Sequence, residues 1–135
     1  MKIGWATAEQ FEELRKEFPG LYAETFDFSV PLGWFDLVRS LSRAVAARAE
    51  AIAERTGDEV RVVQVKEKLG GLRFYTHADD DAVRWLIRDA EERASNTCMC
   101  CGGTEDVRMR QTKSGWYFTA CDGCLLMDAL AGGED

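Results

Sequence analysis

Near the amino terminus, apolar side chains recur at the three- and four-residue intervals of an amphipathic helix. The run Thr7-Ala8-Glu9-Gln10 has the form of a capping box, with a hydroxyl at the cap and an amide three residues later. Phe11, Leu14 and Phe18 follow at helical spacing. Pro19-Gly20 is predicted to end this first helix, because proline cannot continue it and glycine tolerates the turn that follows.

A second, longer helix is predicted after an irregular and partly buried crossing over residues 21–28. It begins near Pro31 and ends at about Arg55, and Gly57 is a natural stop because glycine accepts the left-handed cap conformation. Its apolar stripe repeats at helical intervals and consists of Trp34, Leu37, Val38, Leu41, Val45, Ala49 and Ile52. This stripe is expected to face the core.

Between residues 60 and 76 the apolar period changes to strict alternation, which indicates a β-hairpin. Gly70-Gly71 is predicted to be its two-residue turn, because glycine can adopt positive φ at both positions. The predicted apolar face carries Val63, Val65, Leu69, Leu72 and Phe74. The opposite face carries Gln64, Lys66, Lys68, Arg73, Tyr75 and His77. Alternation leaves Glu67 on the apolar face, where it sits at the margin, pairs with a base or marks a wrong register.

A third helix is predicted to begin at Asp79-Asp80-Asp81, because carboxylates are favoured at the positive end of a helix dipole. Its buried stripe consists of Ala82, Val83, Leu86, Ile87, Ala90 and Ala94. Trp85 lies beside this stripe and is expected to cover its edge. The four tryptophans include Trp34, Trp85 and Trp116, and these three are expected in the core or at its edge rather than in a binding site.

The C-terminal third carries two Cys-x-x-Cys pairs, Cys98 with Cys101 and Cys121 with Cys124. Four cysteines at this spacing form the ligand pattern of a tetrahedral zinc site. Four thiolates also close the coordination shell, so the zinc ion is expected to be structural rather than catalytic. The surplus Cys100 is expected to remain a free thiol, because the loop from Cys98 to Cys100 is too short for two ligands.

The surroundings of these cysteines predict a knuckle, a hairpin and a helix in that order. Residues 107–112 and 116–120 are predicted to pair, and an apolar run over residues 125–130 is predicted to be helical. This order is typical of a treble clef, and a zinc ribbon is the alternative. The chain is therefore predicted to be an α+β protein, in which helices pack on a β-hairpin or small antiparallel sheet. Its predicted parts are a body over residues 1–96, a zinc module over residues 97–131 and a frayed tail over residues 132–135.

Composition narrows the possible classes of protein. With 135 residues the chain is expected to form one domain, or one domain with a small appended module. The N-terminus lacks the apolar run of a secretory signal, and the five cysteines suit a metal site in a reducing compartment, so a cytoplasmic location is expected. The net charge of −7 argues against non-specific binding of nucleic acid, which depends on neutralising phosphates.

Four stretches together resemble a known family: Gly33-Trp34-Phe35, residues 62–75, Cys98-x-x-Cys101-Gly102 and Trp116-x-x-x-x-Cys121. They are similar to small zinc-finger proteins of bacteriophages, prophages and their bacterial hosts. This resemblance implies a phage setting inside a bacterial host cell and implies no particular reaction. The chain has Leu69 where an aromatic residue would be familiar, and Cys124 where a histidine would be equally familiar.

The sequence contains none of the residue patterns of the common hydrolases, nucleotide-binding enzymes or zinc deaminases, so no enzymatic activity is expected. The first hypothesis is a protein-interaction module that binds or inhibits a host or phage protein. The alternative is a nucleic-acid-binding protein, since basic groups interleaved with aromatics favour single strands. Its candidate surface consists of Lys66, Lys68, Arg73 and Tyr75, extended by Arg108, Arg110 and Lys113. The hairpin charges can equally be a solvated face or pair with surplus carboxylates.

Overall fold

The structure is a computed structural model, which describes the backbone of residues 3–130 and the side chains of residues 3–126. The helices are α1 (Ala8–Glu17), α2 (Phe35–Thr56), α3 (Asp81–Ala94) and α4 (Asp122–Leu130), with a 3-10 turn at Leu32–Trp34 before α2. The strands are β1 (Asp27–Ser29), β2 (Val62–Lys68), β3 (Gly71–Thr76), β4 (Val107–Gln111) and β5 (Tyr117–Cys121). The predicted α+β class is confirmed, and the predicted tail lies outside the described residues.

The predicted helix boundaries are confirmed at the residues that carry local signals. The Thr7 hydroxyl accepts a hydrogen bond from the Gln10 amide at 3.1 Å, and the Gln10 side chain accepts one from the Thr7 amide at 2.8 Å. Gly57 caps α2 with a φ of 78°, in the left-handed region. The predicted stripe of α2 points inward, and Trp34 is fully buried with its Nε1 donating to the Thr97 carbonyl at 2.8 Å.

The crossing over residues 21–28 contains a strand that was not predicted. β1 pairs with β2 in parallel, with Phe28 opposite Val65, so the three-stranded sheet has the order β1-β2-β3 and is not purely antiparallel. The Phe28 ring stacks on Phe11 with ring centroids 4.6 Å apart. A strand this short is stabilised by its distant partner and by aromatic packing, and neither leaves a periodic signal in the local sequence.

The predicted position of the hairpin turn is wrong by one residue. Leu69 and Gly70 form the turn with φ values of 53° and 81°, and Lys68 lies opposite Gly71. The Glu67 carboxylate accepts a hydrogen bond from the Gly70 amide at 2.7 Å, which provides this carboxylate with a partner. Leu69 is therefore 62% exposed rather than on the apolar face.

The core-facing residues of the hairpin also differ from the prediction at the start of β2. The register shifts between Val62 and Gln64, and this irregularity turns Val62 into the core in place of the predicted Val63. Val65, Leu72 and Phe74 are buried as predicted. A bulge places two residues of one strand opposite one residue of its partner, so strict alternation fails beyond it.

The two predicted parts of the chain share one hydrophobic core. Met99 and Phe118 from the C-terminal part are buried in the same cluster as Trp34 and Leu72 from the body. The two parts are also joined by hydrogen bonds, from the Gly33 amide to the Met99 carbonyl at 3.0 Å and from the Thr119 hydroxyl to the Gly70 carbonyl at 2.8 Å. The C-terminal part therefore packs directly on the body.

Asp80 begins α3 and joins it to α2. Its carboxylate accepts a hydrogen bond from the Val83 amide at 3.0 Å, and it accepts two from the Arg48 guanidinium at 2.9 Å and 3.0 Å. These interactions, led by the one with Arg48, lower the pKa of Asp80 to about 2. Their stabilisation is present above the ordinary carboxyl pKa of about 3.9 and is lost as the pH falls toward 2.

Replacing Asp80 by alanine is expected to lower the free energy of unfolding at pH 7 by about 1–2 kcal/mol, because the helix loses its cap and Arg48 loses its partner. Asp80→Asn keeps the capping oxygen and is expected to lose less. Urea denaturation of the two variants and the wild type measures the difference. Equal stability of Asp80→Ala and the wild type would show that this contact is dispensable.

Among the described residues, no helix combines the length and apolar character needed to cross a membrane.

Candidate metal centre

The four predicted ligands lie on three different elements that the fold brings to one point. Cys98 and Cys101 occupy the turn that follows α3. Cys121 is the last residue of β5, and Cys124 lies in the first turn of α4. The β4–β5 hairpin connects the two cysteine pairs and places the second pair beside the first.

The four candidate ligand atoms lie close together. All four sulfur atoms lie within 4.8 Å of one another, and the Sγ atoms of Cys101 and Cys121 are 3.8 Å apart. A zinc–sulfur bond of about 2.3 Å in a regular tetrahedron places its sulfurs about 3.8 Å apart. All five cysteines are free thiols rather than disulfides. The cluster could therefore hold a metal ion.

Backbone amides donate hydrogen bonds to three of the four sulfur atoms. The Sγ of Cys98 accepts hydrogen bonds from the amides of Cys100 and Cys101 at 3.4 Å and 3.5 Å. The Gly103 amide donates to the Sγ of Cys101 at 3.3 Å, and the Cys124 amide donates to the Sγ of Cys121 at 3.3 Å. A thiolate that accepts such bonds is stabilised relative to the thiol. At Cys101 the bond from Gly103 lowers the pKa, but burial and the thiols of Cys121 and Cys98 outweigh it and raise the pKa overall.

The pKa values of Cys98 and Cys124 shift in opposite directions. Burial raises the pKa of Cys98, but hydrogen bonds from backbone amides, including that of Cys101, outweigh this effect and lower the pKa to about 7. Burial raises the pKa of Cys124, and the nearby thiols of Cys121 and Cys101 raise it further. Four thiolates this close repel one another, and a divalent ion between them removes the repulsion as it binds.

The other candidate ligands lie outside the cluster. Cys100 is half-buried, and its sulfur is not part of the four-sulfur group, as its spacing predicts. His77 lies at the far end of the hairpin, where its Nδ1 accepts a hydrogen bond from the Arg61 amide at 3.1 Å. His77 thus stabilises the end of the sheet.

The candidate nucleic-acid surface forms the outer face of the three-stranded sheet. Lys66 lies opposite Arg73, Tyr75 lies opposite Gln64, and Lys68 adjoins the turn, so these side chains share one face as predicted. The same face also carries Asp27, opposite Gln64. Hydrogen bonds from Ser29 and Gln64, together with the charge of Lys66, lower the pKa of Asp27. This surface is therefore mixed in charge.

Two basic residues of the second hairpin form ion pairs with one carboxylate of their own part of the chain. Arg108 and Arg110 both contact the Asp122 carboxylate, and the Nε of Arg110 also donates to the Ala120 carbonyl at 3.1 Å. These two arginines therefore stabilise the junction between β5 and α4, next to the cysteines. The described contacts do not join them to the sheet surface into one basic surface.

A feature that sequence reasoning missed is a groove of about 1000 Å³ along α2 and α3. Its floor is formed by Leu37 and Leu41 of α2 together with Leu86 of α3, and the cysteine turn closes one end. Trp85 lines the groove and is 64% exposed, so the expectation that it covers the core edge is wrong. A large aromatic just outside a buried stripe was the one signal for this groove in the sequence.

Comparison with protein-family models, with curated proteins and with solved structures finds no match for this chain.

Proposed function

We propose that the four cysteines hold a structural zinc ion in a treble-clef arrangement. The support is the order of elements, in which a knuckle precedes the β4–β5 hairpin and α4 carries the last ligand. A zinc ribbon would have two knuckles and no helix. Thiolates are soft ligands that suit zinc, and a closed shell of four leaves no position for a reacting water. The zinc ion would therefore stabilise the fold without taking part in a reaction.

On this scaffold, the protein acts by protein–protein interaction, as a small phage-type protein that binds or inhibits a host or phage protein. The observation that carries this proposal is the groove beside Trp85, which has leucines on its floor. Exposed tryptophans next to concave apolar surfaces are enriched where proteins bind other proteins, because the ring buries a large area at little cost in conformational entropy.

The alternative function, binding of nucleic acid by the outer face of the hairpin, has weaker support. Asp27 interrupts the basic face, and Arg108 and Arg110 already contact Asp122. The net charge of −7 adds long-range repulsion of phosphates. Binding of a protein in the groove, in contrast, does not require an excess of basic residues.

Capture from a nuclease-treated bacterial lysate tests the proposed interaction. The wild type is expected to capture a partner protein in stoichiometric amount. Trp85→Ala is expected to capture at least about tenfold less, since an interface tryptophan commonly contributes about 2 kcal/mol or more. Phe26→Ala is the matched control, because Phe26 is 73% exposed and does not line the groove. Equal capture by all three proteins, or capture abolished by the nuclease, would contradict the proposal.

A further inference from the structure

The groove has the length and direction of a helix-binding site. The start of α2 lies against the end of α3, because the Trp34 indole donates to the Thr97 carbonyl. The later part of α2 lies against the start of α3, because Arg48 pairs with Asp80. The two helices are therefore antiparallel. The groove begins at the 3-10 turn beside Gly33 and follows α2 from Asp36 to Ala44, about 12 Å at the helical rise per residue, which matches at least about two turns of another helix.

The floor of the groove allows a third helix to approach closely. Small side chains, those of Ser40 and Ala44 on α2 and Ala90 on α3, alternate with leucines along the lining. Small residues leave furrows into which the ridges of a neighbouring helix fit, at interaxial distances of about 8–10 Å. Trp85 and Leu32 stand at opposite ends of the groove, where Trp85 is 64% exposed and Leu32 is 44% exposed. An amphipathic helix would cover both with its apolar face.

The rim of the groove is acidic. Asp36 lies on the α2 side, and Asp89 and Glu92 lie on the α3 side. The one basic residue of the lining, Arg93, pairs with Asp89 at 3.0 Å, which leaves Asp36 and Glu92 as exposed negative charges on the two walls. Charges on both walls favour a partner whose apolar face is bordered by cations on both sides.

We propose that this groove binds a cationic amphipathic helix of another protein, with leucine-like residues on the floor and lysine or arginine facing Asp36 and Glu92. The proposal rests on the proposed function and adds to it the chemistry and shape of the partner. A second copy of this chain is a poorer occupant, because two molecules of charge −7 repel each other. The cysteine turn contributes Cys100 and Gly102 to one end of the groove, so the site should be complete only in the metal-bound protein.

Three labelled peptides of about 16 residues, a length that exceeds the groove, test the partner's chemistry. The first is helical, with leucines along one face and lysines on both flanks. The second replaces the lysines with glutamates, and the third keeps the lysines and has a central proline that breaks the helix. Fluorescence anisotropy with the zinc-loaded protein is expected to show the first peptide binding at least about tenfold more tightly than either of the others, and weakening as salt rises.

Protein variants then locate the binding. The double variant Asp36→Asn with Glu92→Gln is expected to bind the lysine peptide at least about fivefold more weakly, and this binding should depend less on salt. The matched control, Glu12→Gln with Glu54→Gln, removes the same charge from exposed helix positions outside the groove and should change the affinity by less than about twofold. Circular dichroism and zinc content verify that each variant is folded.

The outcomes separate this inference from the proposed function. If Trp85→Ala abolishes capture of a partner but the glutamate or proline peptide binds as well as the lysine helix, the cationic helix is wrong and the interaction function stands. Equal weakening by the groove and control charge variants also overturns the inference, because the attraction would then come from the overall charge. If Trp85→Ala changes neither capture nor peptide binding, both proposals fail.

Discussion

Replacing Cys121 by serine is expected to abolish stoichiometric zinc binding and to leave most of the protein unfolded at 25 °C. A structural zinc ion contributes on the order of 10 kcal/mol to folding, whereas a domain of this size has a total stability of about 5–15 kcal/mol. The loss should not remain local, because Met99, Phe118 and Ala120 belong to the same core as Trp34. Metal analysis of the purified protein and far-ultraviolet circular dichroism measure the two effects.

Cys100→Ser is the matched control for this experiment. Cys100 lies in the same turn as the ligands, but its sulfur is outside the four-sulfur group. This variant should bind one zinc ion per chain and melt within a few degrees of the wild type, because surface and half-buried substitutions without a specific role cost little. If Cys121→Ser instead keeps its zinc and its stability, or Cys100→Ser loses them, the assigned ligand set is wrong.

Gly33→Ala is expected to cost more than about 3 kcal/mol, the upper end of what an added core methyl group usually costs. A Cβ at this position would overlap the Cys98 carbonyl oxygen and lie 2.8 Å from the Gly102 nitrogen. Both atoms belong to the backbone of the cysteine turn, so relief requires the whole turn to move. The same movement would break the hydrogen bond from the Gly33 amide to Met99 and weaken zinc binding.

Two other glycines separate this clash from the general effect of adding a methyl group. Gly4→Ala meets only the Leu32 side chain at 3.7 Å, an ordinary contact, and is expected to be nearly neutral. Gly57→Ala has open space but a φ of 78°, so its expected cost is the left-handed strain alone, about 1–2 kcal/mol. Gly33→Ala should have a lower free energy of unfolding than both variants, measured by urea denaturation, and a lower zinc affinity, measured by competition with a chelator. A cost at Gly33 no larger than at Gly57 would contradict the close approach.

The helices could be predicted from the sequence because their signals are local. The Thr7 capping box, Gly57 and the acidic residues before α3 each act within one or two turns of the helix they begin or end. The strands were predicted less completely. β1 depends on a partner strand distant in the chain, and the turn at Leu69 and Gly70 depends on a bond to Glu67 that alternation alone does not reveal.

The difference between local signals and distant contacts also applies to the cysteine cluster and the groove. The cysteine pairs are recognisable because each pair occupies a short turn whose spacing is typical of tetrahedral metal sites. The groove has no such signal, since α2 and α3 contribute its two sides from separate parts of the chain. Trp85 was predicted to cover the core edge because periodicity gives its position on α3. The groove beside it depends on the packing of α2 against α3, which periodicity does not reveal.

The sequence by itself determined the helices, the hairpin and two turns that each carry a pair of cysteines, because periodicity, caps and the spacing of each pair act between residues close along the chain. Only the tertiary structure decided how these parts meet. It placed β1 beside β2, packed the cysteine turn against Gly33 and left an acidic groove between α2 and α3. These features depend on contacts between distant residues, whose geometry follows from the packing of the whole core.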